Sequence, residues 1–207
     1  MMIKLENISK KFRYNDILDQ VNCEFNDGSI YLIRGKNGTG KTVLLKLLCG
    51  LSKPTEGKVT FYNQDHKAYK PYIGTIIETP IFWKDMTGME CLTFLASIRK
   101  IIDKETILEA LKRVGLYDAK DMSTRKYSLG MRQRLAIAQA VMENPDVLLF
   151  DEPTNSLDDD GVEIFKKIVL EEKEKGKTIV IVSHNVEDLQ DLADYTLLLK
   201  NRNLVEA

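Results

Sequence analysis

One stretch limits this chain more than any other: Gly35-Lys-Asn-Gly-Thr-Gly-Lys-Thr42, which satisfies the phosphate-loop pattern G-x-x-x-x-G-K-[S/T]. That pattern has its meaning only between a strand and a helix, and both flanks agree. Ile30-Tyr-Leu-Ile33 follows the Asp27-Gly28 turn signal and predicts a buried strand, while Thr42 to Leu51 predicts a helix stopped by Gly50 and Pro54. The three glycines let the backbone fold tightly enough to aim successive N–H groups at phosphate oxygens, and the helix that follows presents its positive dipole end to the same anion. Lys41 adds a mobile charge for β- and γ-phosphates, and the Thr42 hydroxyl is a hard oxygen ligand suited to Mg²⁺. A chance match in a chain of 207 residues is on the order of one in a hundred at ordinary residue frequencies.

The rest of the chain alternates short apolar runs with helical periodicity, as an α/β protein does. Lys58 to Tyr62 and Ile73 to Ile77 predict strands. From Thr87 to Val114 the texture turns helical, with Leu92, Leu95 and Ile98 on one stripe and Ile107, Leu111 and Val114 on another behind an Asp103 cap. This predicts a helical subdomain over about 87–130 inside a single α/β domain covering 1–207. A further helix from about Gly130 to Glu143 stops before Pro145, and Val147-Leu-Leu-Phe150 predicts a buried strand with Asp151 at its carboxyl end. After a helix from about Asp160 to Lys175, Thr178-Ile-Val-Ile-Val182 predicts another buried strand carrying Ser183 and His184; Tyr195 to Leu199 and Leu204-Val205 predict a closing hairpin.

Composition removes several classes. With 30 Lys+Arg, 31 Asp+Glu and 43% hydrophobic residues, the chain is neither disordered nor strongly basic, and no nucleic-acid partner is expected. Its length suffices to bury roughly 70% of the unfolded surface without staples. Cys23, Cys49 and Cys91, with His66 and His184, form no metal-ligand spacing and fit a reducing cytoplasm. The first residues carry no secretory signal, and no segment reaches the ~20 apolar residues of a membrane span. Work at a membrane would therefore need another chain to provide the span.

Asp151 and Glu152 follow an apolar strand at the place where open α/β sheets put their ligand chemistry. Asp151 fits a Mg²⁺ contact, and Glu152 fits the general base that polarises an attacking water. His184, at the end of the next strand, is placed to hydrogen-bond a γ-phosphate.

These elements, in the order phosphate loop, Ser128-Leu-Gly-Met-Arg-Gln133, Asp151-Glu152, Asn155-Ser-Leu-Asp158 and Ser183-His184, resemble the nucleotide-binding domain of ATP-binding cassette transporters over almost the whole chain. The resemblance implies a phosphate-loop core of mostly parallel sheet, an N-terminal antiparallel β subdomain and an inserted α-helical subdomain. It implies ATP and Mg²⁺, with Gly35, Lys36, Asn37, Gly38, Thr39, Gly40, Lys41, Thr42 and Val43 around the nucleotide and Thr42, Asp151 and Glu78 around the metal. Ser128 and Gly130, in the family's signature motif, would meet the nucleotide of a second such domain, in a homodimer or heterodimer closed around two ATP molecules. Phe12 stands where the family stacks an aromatic on adenine, with Tyr14 its rival. A separate transmembrane permease would dock near Phe82 and Trp83, placing the chain in the cytoplasm on the inner face of the membrane.

The chain departs from the family pattern at Glu78, where the family has a glutamine, and at Leu129 and Met131 in the signature. Ile-Glu-x-Pro and Ser-Leu-Gly-Met together resemble the ATPases of bacitracin- and lantibiotic-type peptide export and immunity. The expected function is thus the ATP-hydrolysing subunit of a peptide exporter. The competitors are an ATPase of the same superfamily acting on ribosomes or DNA, and a small-molecule phosphate-loop kinase. The first generally carries two domains or a long coiled coil, neither of which this sequence shows; the second would need an acceptor pocket and lid arginines in place of the signature helix and the Asp151-Glu152 pair.

Overall fold

The computed structural model describes residues 1–184 and 188–207. Two sheets organise the chain. β1 (Met2–Phe12), β2 (Asn15–Phe25) and β4 (Glu56–Tyr62) form an antiparallel sheet in the order β2-β1-β4. The second has the order β5-β6-β7-β3-β8-β9, built from β3 (Ile30–Arg34), β5 (Ile73–Ile76), β6 (Val147–Asp151), β7 (Thr178–Ser183), β8 (Tyr195–Lys200) and β9 (Asn203–Glu206). It is parallel except for the terminal β8–β9 hairpin. The helices are α1 (Lys41–Leu48), α2 (Gly88–Arg99), α3 (Lys104–Arg113), α4 (Leu129–Val141) and α5 (Asp159–Glu174). This is the α/β arrangement expected from the sequence.

The continuous apolar runs of β6 and β7 follow from burial on both faces, the condition of a parallel sheet covered by helices. Successive side chains go to opposite layers. Ile179 and Ile181 join the core under α2 to α5, whereas Val180 and Val182 join the core shared with α1 and the antiparallel sheet. Phe150 meets Phe165 of α5 edge to face, with centroids 5.2 Å apart. Burying rings of this size contributes about 1.5–3 kcal/mol each, so the α5 contact is a substantial part of that layer.

Register brings the functional strand ends together. Arg34 pairs with Ser183, and Asp151 pairs with Val182, so β3, β6 and β7 deliver the phosphate loop, the paired carboxylates and His184 to one edge of the sheet. Ligands collect at that edge in open α/β sheets.

Boundaries shift by up to three residues. α1 ends at Leu48 rather than Leu51 because Gly50 takes φ 76°. The stretch from Thr87 breaks into α2 and α3, separated by Lys100 at φ 57°. Asp103 does cap α3, its carboxylate accepting the Thr106 N–H at 2.9 Å. The α2 stripe needs correction: Leu92 is buried but Ile98 is 70% exposed, and Cys91 and Ala96 face the core. Ile107, Leu111 and Val114 are all buried. Phe82 is also a core residue, so of the two aromatics expected to meet a permease only half-exposed Trp83 faces outward, edge-on to Phe94 with centroids 4.9 Å apart.

Candidate functional site

The loop between β3 and α1 is held by its own carbonyls. Lys41 is buried and donates to the Gly35 carbonyl at 2.7 Å and the Lys36 carbonyl at 3.3 Å. The Thr39 hydroxyl donates to the Lys36 carbonyl at 2.9 Å. Gly40 precedes α1 at φ 105°, and a Cβ there would stand 2.6 Å from Ile17 Cγ2. Backbone conformation and a close approach from β2 both require glycine at that position.

Asp151 ends β6 facing α1. Its Oδ2 accepts the Thr42 hydroxyl at 2.6 Å, although the two residues lie 109 apart in the chain. Burial pushes the Asp151 carboxyl up; the Thr42 hydrogen bond opposes this, and the charge of Glu152 adds to it. A carboxylate buried in this way gains from a cation beside it. The hydroxyl and the carboxylate are both hard oxygen donors, and Mg²⁺ binds through one or two carboxylates plus substrate phosphates. Among the described residues no group of three or more carboxylate, imidazole or thiol side chains could hold a metal ion. The pair therefore fits Mg²⁺ shared with a nucleotide better than a protein-only metal centre.

Glu152 is in the left-handed region, φ 47°, which turns its carboxylate across to β7. Ser183 Oγ donates to its Oε2 at 3.0 Å, and the His184 N–H lies 3.1 Å from Oε1 and 3.2 Å from Oε2. His184 Nδ1 is 2.9 Å from Oε1, and Lys41 Nζ is 3.7 Å from it. His184 thus grips Glu152 by backbone and ring together. Such strained backbone persists where the surroundings over-determine it, as here.

Lys41, Thr42, Asp151 and Glu152 line one cleft of about 590 Å³. Gly38, Gly40, Asn37 and Val43 line it too, while Gly35 and Lys36 lie in an adjoining cleft with Arg34 and His184. Glu78, at φ 65°, reaches the rim, but its carboxylate is paired with Lys46 of α1 rather than joined to Thr42 and Asp151. Phe12 is half-exposed with Lys10 Nζ 4.8 Å over its ring, and Tyr14 is almost fully exposed. Neither lines the cleft; Ile17 does. Ser128 caps α4, its hydroxyl accepting the Met131 N–H at 3.1 Å, and Gly130 lies against the Ser156 carbonyl.

Sequence reasoning missed Ile17, Lys46 and Gln133 as parts of this neighbourhood. Lys46 carried a signal, since it lies four residues after Thr42 and shares its face of α1. Gln133 closed the Ser128-Leu-Gly-Met-Arg-Gln133 motif, although its contact with the turn after Glu152 was not legible there; Ile17 carried no signal, because it is defined by a tertiary contact.

A phosphate loop, a buried hydroxyl–carboxylate pair and a gripped glutamate at the carboxyl ends of parallel strands define a nucleoside-triphosphate hydrolase. The sequence profile described as ABC transporter matches residues 18–155. An ABC transporter ATP-binding protein of Bacillus subtilis (strain 168), YybJ, is 41% identical over 98% of this chain and 94% of its own length. The bacitracin transport ATP-binding protein BcrA of Enterococcus faecalis is 36% identical over 99% of this chain and 68% of its own length. Among solved structures, a dimeric bacterial ABC transporter cassette superposes with a TM-score of 0.83 at 26% identity, covering 99% of this chain and 98% of the other. That cassette is also known in a dimeric post-hydrolysis state bound to ADP and phosphate, superposing with a TM-score of 0.82. The chain belongs to the ABC transporter ATP-binding family, and is an ATP-hydrolysing nucleotide-binding subunit.

Proposed function

We propose that residues 1–207 act as one nucleotide-binding domain that powers a separate transmembrane permease from the cytoplasmic face of the membrane, exporting a peptide antibiotic or a similar amphiphile. Two findings support the cargo class: the 36% identity to the bacitracin transport protein, and the Ile77-Glu78-Thr79-Pro80 and Ser128-Leu-Gly-Met131 stretches. No helix among the described residues is long and apolar enough to cross a membrane, which is consistent with a span provided by another chain.

The observation that carries the mechanism is the fixed Glu152 carboxylate beside the Thr42–Asp151 pair. The backbone N–H groups of the loop and the Lys41 ammonium bind the phosphates of ATP. Thr42 and Asp151 would hold Mg²⁺, which would supply charge neutralisation to the phosphates. Glu152 accepts a proton from water as the water oxygen bonds to the γ-phosphorus; the bond to the bridging oxygen breaks, and ADP and phosphate leave. His184 and Ser183 orient Glu152 for that transfer. Phe12 or Tyr14 would stack on the adenine, and Glu78, if freed from Lys46, would be a further carboxylate for the metal. Ser128 and the Gly130 amide, at the positive end of α4, bind the nucleotide of a second copy or of a related domain.

The test is Glu152→Gln, which removes the proton acceptor and leaves the phosphate contacts. Its expected behaviour is ATP binding without turnover, with a doubling of solution mass on ATP addition. Hydrolysis at the wild-type rate would remove Glu152 from this role. Co-fractionation with membranes only when a permease is co-expressed would support the transport reading; association with ribosomes or DNA would overturn it.

A further inference from the structure

We propose that Gln133 is a positioning residue, tying the start of α4 to the turn that carries Glu152 so that a nucleotide held against Ser128 by a second copy acts on this chain's own site. This rests on the two-copy reading above.

Gln133 is only 6% exposed, on a helix whose other buried residues are Leu, Ala, Ile and Val. A buried amide is unfavourable unless it is hydrogen-bonded. Its Nε2 donates to the Pro153 carbonyl at 2.9 Å, one residue beyond Glu152. Three positions earlier on α4, and so on the same face, Gly130 lies so near the 155–158 loop that a Cβ would stand 2.9 Å from the Ser156 carbonyl oxygen. The helix therefore touches the segment after Glu152 twice, once by a buried hydrogen bond and once by a contact with no spare room.

Glu152 adopts its left-handed backbone under restraint from both sides of this turn. From β7 come the Val182 carbonyl, which accepts the Glu152 N–H at 2.9 Å, and the Ser183 and His184 contacts. From α4 comes the Gln133 bond. α4 is capped by exposed Ser128, whose hydroxyl accepts the Met131 N–H at that helix end. A helix transmits displacement as a rigid rod over so short a distance, so a ligand pulling on Ser128 pulls on Pro153 through less than two turns. The gripped state of Glu152 thereby becomes sensitive to whether the facing site is filled.

Three substitutions separate this role from simple packing. Gln133→Met keeps the length and removes both polar ends. Gln133→Glu keeps the acceptor and loses the donor. Gln133→Lys restores a donor. With purified protein and ATP, the Met and Glu variants are expected to lose about five- to tenfold in kcat, the scale of one buried hydrogen bond, with KM for ATP unchanged within twofold because the phosphate loop is untouched. The Lys variant is expected to recover at least half of that loss. Hydrogen exchange across 152–157 is expected to be faster in the Met variant, measured in the ATP-bound Glu152→Gln background. A kcat within twofold of wild type in both the Met and Glu variants would overturn the proposal, as would a parallel fall of kcat, ATP affinity and melting temperature with no recovery in the Lys variant. If Glu152→Gln fails to double in mass with ATP, the two-copy reading itself fails. If it doubles while Gln133→Met turns over normally, only the coupling through Gln133 fails.

Discussion

Arg113→Met is expected to destabilise the whole domain, and the size of the effect follows from three side chains. Arg113, at the end of α3, reaches α5 and donates through Nε and Nη2 to Glu171 Oε2 at 3.2 and 2.8 Å, and through Nη2 to Glu172 Oε1 at 2.7 Å. The Glu172 side chain is 1% exposed, and its Oε2 already has no hydrogen-bond partner among the described residues. Removing one partner of a buried ion pair typically costs about 3–5 kcal/mol, because the charge left behind is neither hydrated nor compensated. Here Lys175 Nζ stays at 2.8 Å from Glu172 Oε1, and half-exposed Glu171 regains water. The cost is therefore reduced to about 2–3 kcal/mol. For a domain of this size that lowers the melting temperature by roughly 4–12 °C. Thermal unfolding of Arg113→Met, Glu172→Met and the double variant, closed as a double-mutant cycle, measures it. The double variant should recover most of the loss, since two apolar side chains of similar length can pack without a stranded charge. If Arg113→Met alone melts within 1–2 °C of wild type, Glu172 does not depend on Arg113 and the argument from burial is wrong.

Lys46→Met should release Glu78 and lower the Mg²⁺ concentration for half-maximal ATPase by up to about fivefold, the ceiling for an exposed pair; a rise would mean that Lys46 assists the cation instead. Gly40→Ala should abolish ATP binding in an equilibrium titration, because a Cβ there meets Ile17 Cγ2 at 2.6 Å, and adding Ile17→Ala should leave most of the defect because φ 105° remains. Alkaline pH should also destabilise the fold. Burial pushes the Cys23 thiol up from 9.0 to about 11, while the charge of Glu24 adds to it. The unfolded chain therefore releases this proton first, and stability falls as pH rises from 9 through 11. Chemical denaturation of Cys23→Ala across that range should show a shallower fall, and an unchanged slope would refute it.

What the sequence disclosed divides by range of interaction. The phosphate loop, its strand and its helix are local, with their chemistry written in consecutive residues. The buried strands β6 and β7 were legible because a strand covered on both faces leaves an unbroken apolar run. β1 and β2 had no comparable run: their burial alternates and is interrupted by bulges between Leu5 and Lys11, and β1 is anchored on its other side by pairing with distant β4. Ile98 misled because the period of a helix does not say where its buried stripe stops. Phe82 misled similarly, as an aromatic beside an exposed one. In the site, residue types revealed Asp151 and Glu152, but not that Glu152 would be gripped by β7, nor that Glu78 would find Lys46. Those are consequences of register and of turns in left-handed conformation, and no pattern in neighbouring residues specifies them.

The charges in the cleft neutralise one another in a way that bears on turnover. Lys41 stands beside Glu152 and Lys46 beside Glu78, so these two acids each face a cation on or next to the phosphate-binding segment, whereas Asp151 is held by the Thr42 hydroxyl. A triphosphate attracts Lys41 more strongly than one carboxylate does, since it offers several oxygens and more charge at similar range. Binding then draws Lys41 from Glu152 while Ser183 and His184 keep that carboxylate in place. On the proposed mechanism, Glu152 becomes free of its cation at the step that brings the phosphate to be attacked. The β7 grip holds Glu152 against both Lys41 and its own left-handed turn, so in the proposed mechanism Ser183 and His184 set the geometry on which the glutamate's proton transfer depends.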